Sequence, residues 1–201
     1  MLSKLTDAQA FQSLLVSPRK LAVSRRIEQV QKPLADSIPE NSFSLYVSIP
    51  FCPTRCSYCS FVSHSVNSAA ARLDEYLGRM MEEMRQLSTI SRHLGLVPDT
   101  IYFGGGTPTV LSAEQLKMLF SALECFDLSH IREFTVEAGR PDTITPEKLE
   151  AIKAAGVGRI SVNPQTMNDS VLKAIGRSHD SRQTEEAFLM ARETGFDVIN
   201  M

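Results

Sequence analysis

From residue 43 onward the sequence alternates strand-type and helix-type patterns, and this alternation limits the fold more than any other feature. "FSLYVSI" (43–49) switches between apolar and polar residues and stops at Pro50, as a strand does. Leu73, Tyr76, Leu77, Met80, Met84 and Leu87 then trace one helix face. "DTIYFGGG" (99–106) is a strand running into a glycine turn, and Leu116, Leu119, Phe120 and Leu123 form the next helical stripe. "REFTVEA" (132–138) is a third strand. Thr145 and Pro146 open a helix that Gly156 closes. "GRISVNP" (158–164), helical patterns at 168–176 and 181–194 ended by Gly195, and "FDVINM" (196–201) complete the series. Strand followed by helix, repeated, argues for an α/β fold with a parallel sheet, either a (β/α) barrel or an open doubly wound sheet.

The positions of the motifs choose between these. Three cysteines, a run of glycines, Glu137 and Gln165 fall at or just after the ends of four successive strands. An open sheet gathers its ligand groups at one switch point, whereas a barrel collects them around its whole C-terminal rim. The expected architecture is a partial (β/α) TIM-type barrel. It is incomplete because the sequence stops on a strand and a closed barrel takes about 250 residues. Before it, Phe11, Leu14, Leu15, Leu21, Ile27 and Val30 recur at helical spacing until Pro33 and Pro39 break the pattern. Residues 1–40 are therefore expected to form a helical lead-in, and 41–201 a core carrying the first five barrel strands.

Charge excludes some partners. Twenty-one basic against 23 acidic side chains leave a net charge of −2, which recommends neither nucleic acid nor an anionic membrane. No run reaches the roughly 18 apolar residues of a membrane span, and the N-terminus carries no secretory pattern, so a cytoplasmic location is expected.

In that reducing compartment, "CPTRCSYC" (52–59) reads as a metal or catalytic site rather than a disulfide framework. Cys52, Cys56 and Cys59 supply three thiolates. Structural zinc takes four ligands, and His64 is the nearest candidate for the fourth. An iron–sulfur cubane held by three thiolates would instead leave one iron open for reaction. Cys125, in a helical stripe, reads as a small core residue. His64, His93, His130 and His179 read as surface or structural positions. "GGGTPT" (104–109) is a tight turn whose missing side chains also let a ligand approach the backbone. Glu137 is either a carboxylate that is solvated or pairs with Arg140, or a functional acid on the cysteine rim. Arg177, after Gly176, could simply offset a helix dipole.

CxxxCxxC directly after the first strand resembles the signature of the radical S-adenosylmethionine (SAM) enzymes. "LYVSIPFCPTRCSYCSF", "YFGGGTPT", "VEAGRPDTIT" and "NPQTMND" together resemble the oxygen-independent coproporphyrinogen III dehydrogenase family, in its HemZ-type branch. The resemblance implies a [4Fe–4S] cluster on Cys52, Cys56 and Cys59, with S-adenosyl-L-methionine chelating the open iron. It implies cofactor contacts from Tyr46, Tyr58, Gly105, Gly106, Thr107, Glu137, Gln165 and Arg177. It also implies an oxidoreductase of porphyrin and haem biosynthesis that converts coproporphyrinogen III propionates to vinyl groups, served by an electron donor such as flavodoxin or ferredoxin. Where the best-characterised branch has one more cysteine, position 61 is Phe61. The related haem-chaperone branch shares that departure, so haem binding and an inactive truncated product are the alternative expectations.

Overall fold

The computed structural model describes residues 16–61 and 64–201 and divides the chain after Glu40. Among its described residues the N-terminal unit forms one helix, α1 (Pro18–Asp36), in which the Ser17 side chain accepts from the Lys20 amide and Pro18 occupies the first turn. Pro33 was expected to break this helix and instead lies inside it. Only one turn follows Pro33, so the lost amide bond is confined to the helix end, and Ser37 and Pro39 then complete the stop. No described residue of α1 is buried, and Ile27 and Val30 point to solvent. Phe11, Leu14 and Leu15 lie outside the described residues.

The second unit runs β1 (Ser42–Ile49), β2 (Phe51–Cys52), β3 (His64–Ser65), α2 (Val66–His93), β4 (Val97–Gly105), α3 (Ala113–Ser121), β5 (Glu133–Glu137), α4 (Pro146–Ala154), β6 (Arg159–Ser161), α5 (Asp169–Ala174), α6 (Ser181–Thr194) and β7 (Val198–Asn200). Five strands form one all-parallel sheet in the order β1-β4-β5-β6-β7, so each new strand is added on the same side. A doubly wound sheet reverses direction partway. This sheet does not, as expected for part of a (β/α) barrel. The two-residue pair β2–β3, which braces the cysteine loop, was too short to leave a periodic signal.

Strand periodicity separates two faces. Leu45, Val47, Ile49, Ile101, Phe103 and Val136 face the helices and are buried in one apolar core with Leu77, Leu116, Leu119, Leu149 and Ile152. Phe103, Phe120 and Phe134 meet at its centre with ring centroids 5.2–6.0 Å apart. The other face is polar: Ser44 and Thr100 share a hydroxyl bond of 2.9 Å, Tyr46 stacks on Tyr102, and Glu133 accepts from Thr135. Helix ends follow the sequence signals. Capping boxes start α3 (Ser112, Gln115) and α6 (Asp180, Gln183), and Gly195 ends α6 at φ +84°. At the base of the sheet the Arg132 guanidinium grips the Asp99 carboxylate through bonds of 2.6 and 2.7 Å.

Phe103→Ala should cost about 4 kcal/mol in urea unfolding, because the three-ring contact cannot close over the space left. Phe103→Leu should cost about 1 kcal/mol. The Asp99 pair gives a pH test. The bonds from Arg132 hold this carboxyl below its ordinary value of 3.8, so its stabilisation is complete above about pH 4 and fades as pH falls further. Asp99→Asn should therefore be less stable than the native chain at pH 7, with the difference narrowing below pH 4.

Candidate functional site

The site is built where β1 and β4 end together. Their parallel register places Ile49 opposite Gly105, and the Gly106 amide donates to the Ile49 carbonyl at 2.8 Å. No side chain fits there. A Cβ on Gly106 would lie 2.6 Å from the Phe51 carbonyl oxygen and 3.0 Å from the Cys52 sulfur, and Gly105 sits at φ +106°. The glycines therefore lie directly against the start of the cysteine loop. The loop's far side rests on the turn after α5. Ser57 N–H donates to the Ile175 carbonyl, the Thr54 hydroxyl donates to the Gly176 carbonyl, and a Cβ on Gly176 would meet the Arg55 carbonyl at 3.2 Å.

Together these elements enclose a cleft of about 200 Å³ at the C-terminal rim of the sheet. Cys52, Cys56, Cys59, Tyr58, Gly105, Gly106, Thr107, Glu137, Gln165 and Arg177 all line it, so ten of the eleven residues expected from the sequence share one cavity. The eleventh, Tyr46, stands beside the lining. It is 59% exposed and stacked on Tyr102 at 5.8 Å, with its pKa raised by burial of the hydroxyl and by the Glu137 charge. Larger hollows, such as one of about 550 Å³ along α4 and α6, hold no cysteine or glycine turn.

Individual partners differ from the expectations in three places. Glu137 does not pair with Arg140: it accepts from the Tyr102 hydroxyl at 2.5 Å, and burial, then this bond, hold the Tyr102 proton tightly. The buried Thr107 hydroxyl turns to the Cys52 sulfur at 3.4 Å. His64 lines a separate recess with Phe51 and Tyr76, so the Cys3His set does not assemble. Arg177 donates to the Tyr58 hydroxyl and the Gly139 carbonyl. Gln165 takes φ +61°, a left-handed conformation that is strained for a residue with a side chain. The carbonyl before it, of Pro164, accepts from His179 Nε2 at 3.3 Å. Cys125 lies against the core, bonded to the Ala122 carbonyl.

Sequence reasoning missed a buried polar cluster behind the cleft. Arg140 is 3% exposed, and its five N–H donors have five acceptors: Asp142, the Thr54 carbonyl, the Thr54 hydroxyl, the Ser178 hydroxyl and the Cys56 sulfur. Burial pushes the Asp142 pKa up, but the Arg140 charge and the hydrogen bonds from Ser178 and Arg140 outweigh it and hold this carboxyl well below the usual range. His179 is buried with its Nδ1 3.7 Å from Asp142, too long for a hydrogen bond. The available signal was the charged pair flanking Pro141 in a rim loop, "GRPDT". Beside it Lys148 donates to the carbonyls of Thr109 and Thr143, and burial lowers its pKa.

The donor set tests what could occupy the cleft. Among the described residues no three His, Cys, Asp or Glu side chains converge on a point that would hold a single metal ion. Tetrahedral zinc, with Zn–S near 2.3 Å, needs its sulfurs about 4 Å apart. A cubane offers a separate iron to each thiolate and spreads them more widely. Three thiols around one cavity, with no fourth protein ligand among them, fit a cluster with an open iron.

An iron–sulfur protein on a barrel-type sheet is the class this rim defines. Comparison with known proteins makes it particular: the model of the radical SAM superfamily matches residues 46–201, and the chain belongs to that superfamily. Its cofactors are accordingly a [4Fe–4S] cluster and S-adenosylmethionine. The oxygen-independent coproporphyrinogen-III oxidase-like protein HemZ of Bacillus subtilis is 38% identical over 201 residues, covering 96% of this chain and 40% of the relative. The heme chaperone HemW of Bacillus subtilis is 41% identical over 160 residues, covering 79% and 41%. The structure of coproporphyrinogen III oxidase (HemN) from Escherichia coli, described as a radical SAM enzyme, superposes with a TM-score of 0.71 at 29% identity over 86% of this chain and 39% of that one. The maturase HydG from Carboxydothermus hydrogenoformans shares the fold alone, at 19% identity and a TM-score of 0.51. The chain thus spans about 40% of the length of the curated relatives it matches.

Gly106→Ala should separate the glycine turn from the cysteine loop. It should cost on the order of 1–3 kcal/mol of stability and lower the iron content after anaerobic reconstitution. Gly78→Ala, where nothing lies within 4 Å of the added methyl, should do neither.

Proposed function

We propose that residues 41–201 are the cofactor-binding core of a radical SAM oxidoreductase acting on coproporphyrinogen III, with residues 1–40 as its helical lead-in and the cytoplasm as its location. The observation that carries the reading is the single cavity shared by the cysteine triad, the glycine turn, Glu137, Gln165 and Arg177. The substrate is suggested by the HemZ relative, which aligns with nearly the whole chain.

When bound, the reduced cluster and S-adenosylmethionine supply a 5′-deoxyadenosyl radical. In the proposed reaction each propionate gives one β-hydrogen atom to the adenosyl radical, which becomes 5′-deoxyadenosine, and releases CO2 and one electron to an external one-electron acceptor to become a vinyl group. The chain's own residues bind and orient. Cys52, Cys56 and Cys59 are the cluster ligands. The backbone of the cleft-lining turn Gly105–Thr107 and the Glu137 carboxylate, fixed by Tyr102, supply acceptors for the amino and hydroxyl groups of the cofactor. Tyr58 and Arg177 close one end of the cleft, Gln165 approaches it from β6, and Tyr46 stands on the polar face towards the substrate. Flavodoxin or ferredoxin is the class of electron donor.

A haem-binding role is the second reading. It is favoured by the HemW relative, which matches at similar identity, and by Phe61 lying at the cleft where a further cysteine is the alternative.

Anaerobic reconstitution should load about four irons and four sulfides per chain and give a reducible chromophore with an EPR signal that S-adenosylmethionine perturbs. Cys125→Ser should keep this cluster and Cys56→Ser should lose it. A colourless protein carrying one zinc per chain would sink the proposal. With a strong reductant, 5′-deoxyadenosine and methionine should form, and the longer protein of this family type should yield vinyl products from coproporphyrinogen III. Tight haem binding with no vinyl product would establish the second reading instead.

A further inference from the structure

Arg140 lines the cleft, yet its side chain is only 3% exposed and its guanidinium is engaged by protein partners on all sides. Its guanidinium lies between the cysteine loop and the segment 178–179, with every N–H used. Two donors fix the backbone and hydroxyl of Thr54, two residues before Cys56, and one reaches the Cys56 sulfur at 3.7 Å. Asp142 accepts from Nε at 3.3 Å, and Ser178 ties both partners together, accepting from Arg140 and donating to Asp142. The pair is buried, with side-chain exposures of 3% and 15%, so solvent and salt screen its field weakly.

We infer that Arg140 is a positioning residue that sets the reduction potential of the cluster through the Cys56 sulfur, with Asp142 as its counterweight. The inference rests on the cluster reading above. Adding an electron makes the cluster and its thiolates more negative. A fixed cation bonded to one sulfur stabilises that reduced form, because hydrogen bonds to sulfur and local net charge set such potentials. Arginine suits this position and lysine does not, since only the planar fork reaches Thr54, Ser178 and Cys56 at once. Asp142 offsets part of the positive field. Its place in the network therefore predicts an effect of opposite sign, which simple loosening of the loop would not produce.

The test is redox potentiometry followed by EPR on the anaerobically reconstituted chain, with iron and sulfide counted for each variant. Arg140→Gln should shift the midpoint to more negative potential, Arg140→Lys, which keeps the charge but not the fork, should recover only part of the shift, and Asp142→Asn should move it to more positive potential. If Arg140→Gln does not fold, the direction for Asp142→Asn decides alone: a positive shift supports the inference, and an unchanged or more negative midpoint overturns it. Intact clusters with one common midpoint in all variants also overturn it. A native chain that takes up no iron removes the cluster reading itself, a result separate from any change in midpoint.

Discussion

The site depends on one close approach, the docking of the glycine turn at the end of β4 against the end of β1. The Gly106 amide bonds to the Ile49 carbonyl, and the space where a side chain would stand is filled by the Phe51 carbonyl and the Cys52 sulfur. Everything else at the rim is placed relative to this contact. It fixes where the cysteine loop leaves the sheet, and it leaves the glycine backbone facing the cleft. It also lets Thr107 turn its hydroxyl to the first cysteine. Three glycines in succession are costly in conformational entropy. The parallel register of β1 and β4 over eight residue pairs provides the anchorage that offsets it.

The two faces of the sheet divide the work. The helix-facing side is sealed by aromatic and aliphatic packing and fixes the spacing of the strands. The other side carries hydroxyls, Tyr46, Tyr102 and Glu137, which are tied to each other rather than to the core. Between cleft and core lies a third layer, the buried polar cluster. Thr109 and Thr143 share a hydroxyl bond at 2.6 Å, and Thr143 also donates to the Arg140 carbonyl, so the loops after β4 and β5 are joined directly. His179 extends the same layer to the carbonyl before Gln165. A left-handed Gln165 persists only where its surroundings determine it, and this layer supplies that support.

The sequence announced whatever depends on local pattern. Strand alternation, helical stripes, Ser112 and Asp180 as caps and Gly195 as terminator are all properties of neighbouring residues, and the elements form where these patterns lie. The cysteines, glycines and Glu137 were legible as rim residues because each follows directly from the end of a strand. Arg140 was not. Its role depends on partners at 54, 56 and 178, far away in sequence, and read locally a charged residue in a loop is a solvated one. His179 was read as a surface or structural position, and the structure makes it structural: its side chain is fully enclosed, with Nε2 on the Pro164 carbonyl. Pro33 misled in the opposite direction: a local rule about helix breaking takes no account of how close the helix already is to its end.

The relatives sharpen what this rim does and does not decide. An oxidase-like protein and a haem chaperone match the chain at 38% and 41% identity. A stretch so similar to both carries what this chain shares with each, and the superfamily match places the cluster and S-adenosylmethionine apparatus in that stretch. Residues that bind only the shared cofactors cannot discriminate between relatives with different names. The discrimination must fall on groups that reach past the cofactor: the polar inner face around Tyr46, and Phe61, which lines the cleft yet is 67% exposed. A large apolar ring at such a mouth suits a flat macrocycle, whether that macrocycle is a substrate to be oxidised or a haem to be carried. Under the proposed reading, the choice between reaction and carriage rests on how near the macrocycle comes to the open iron.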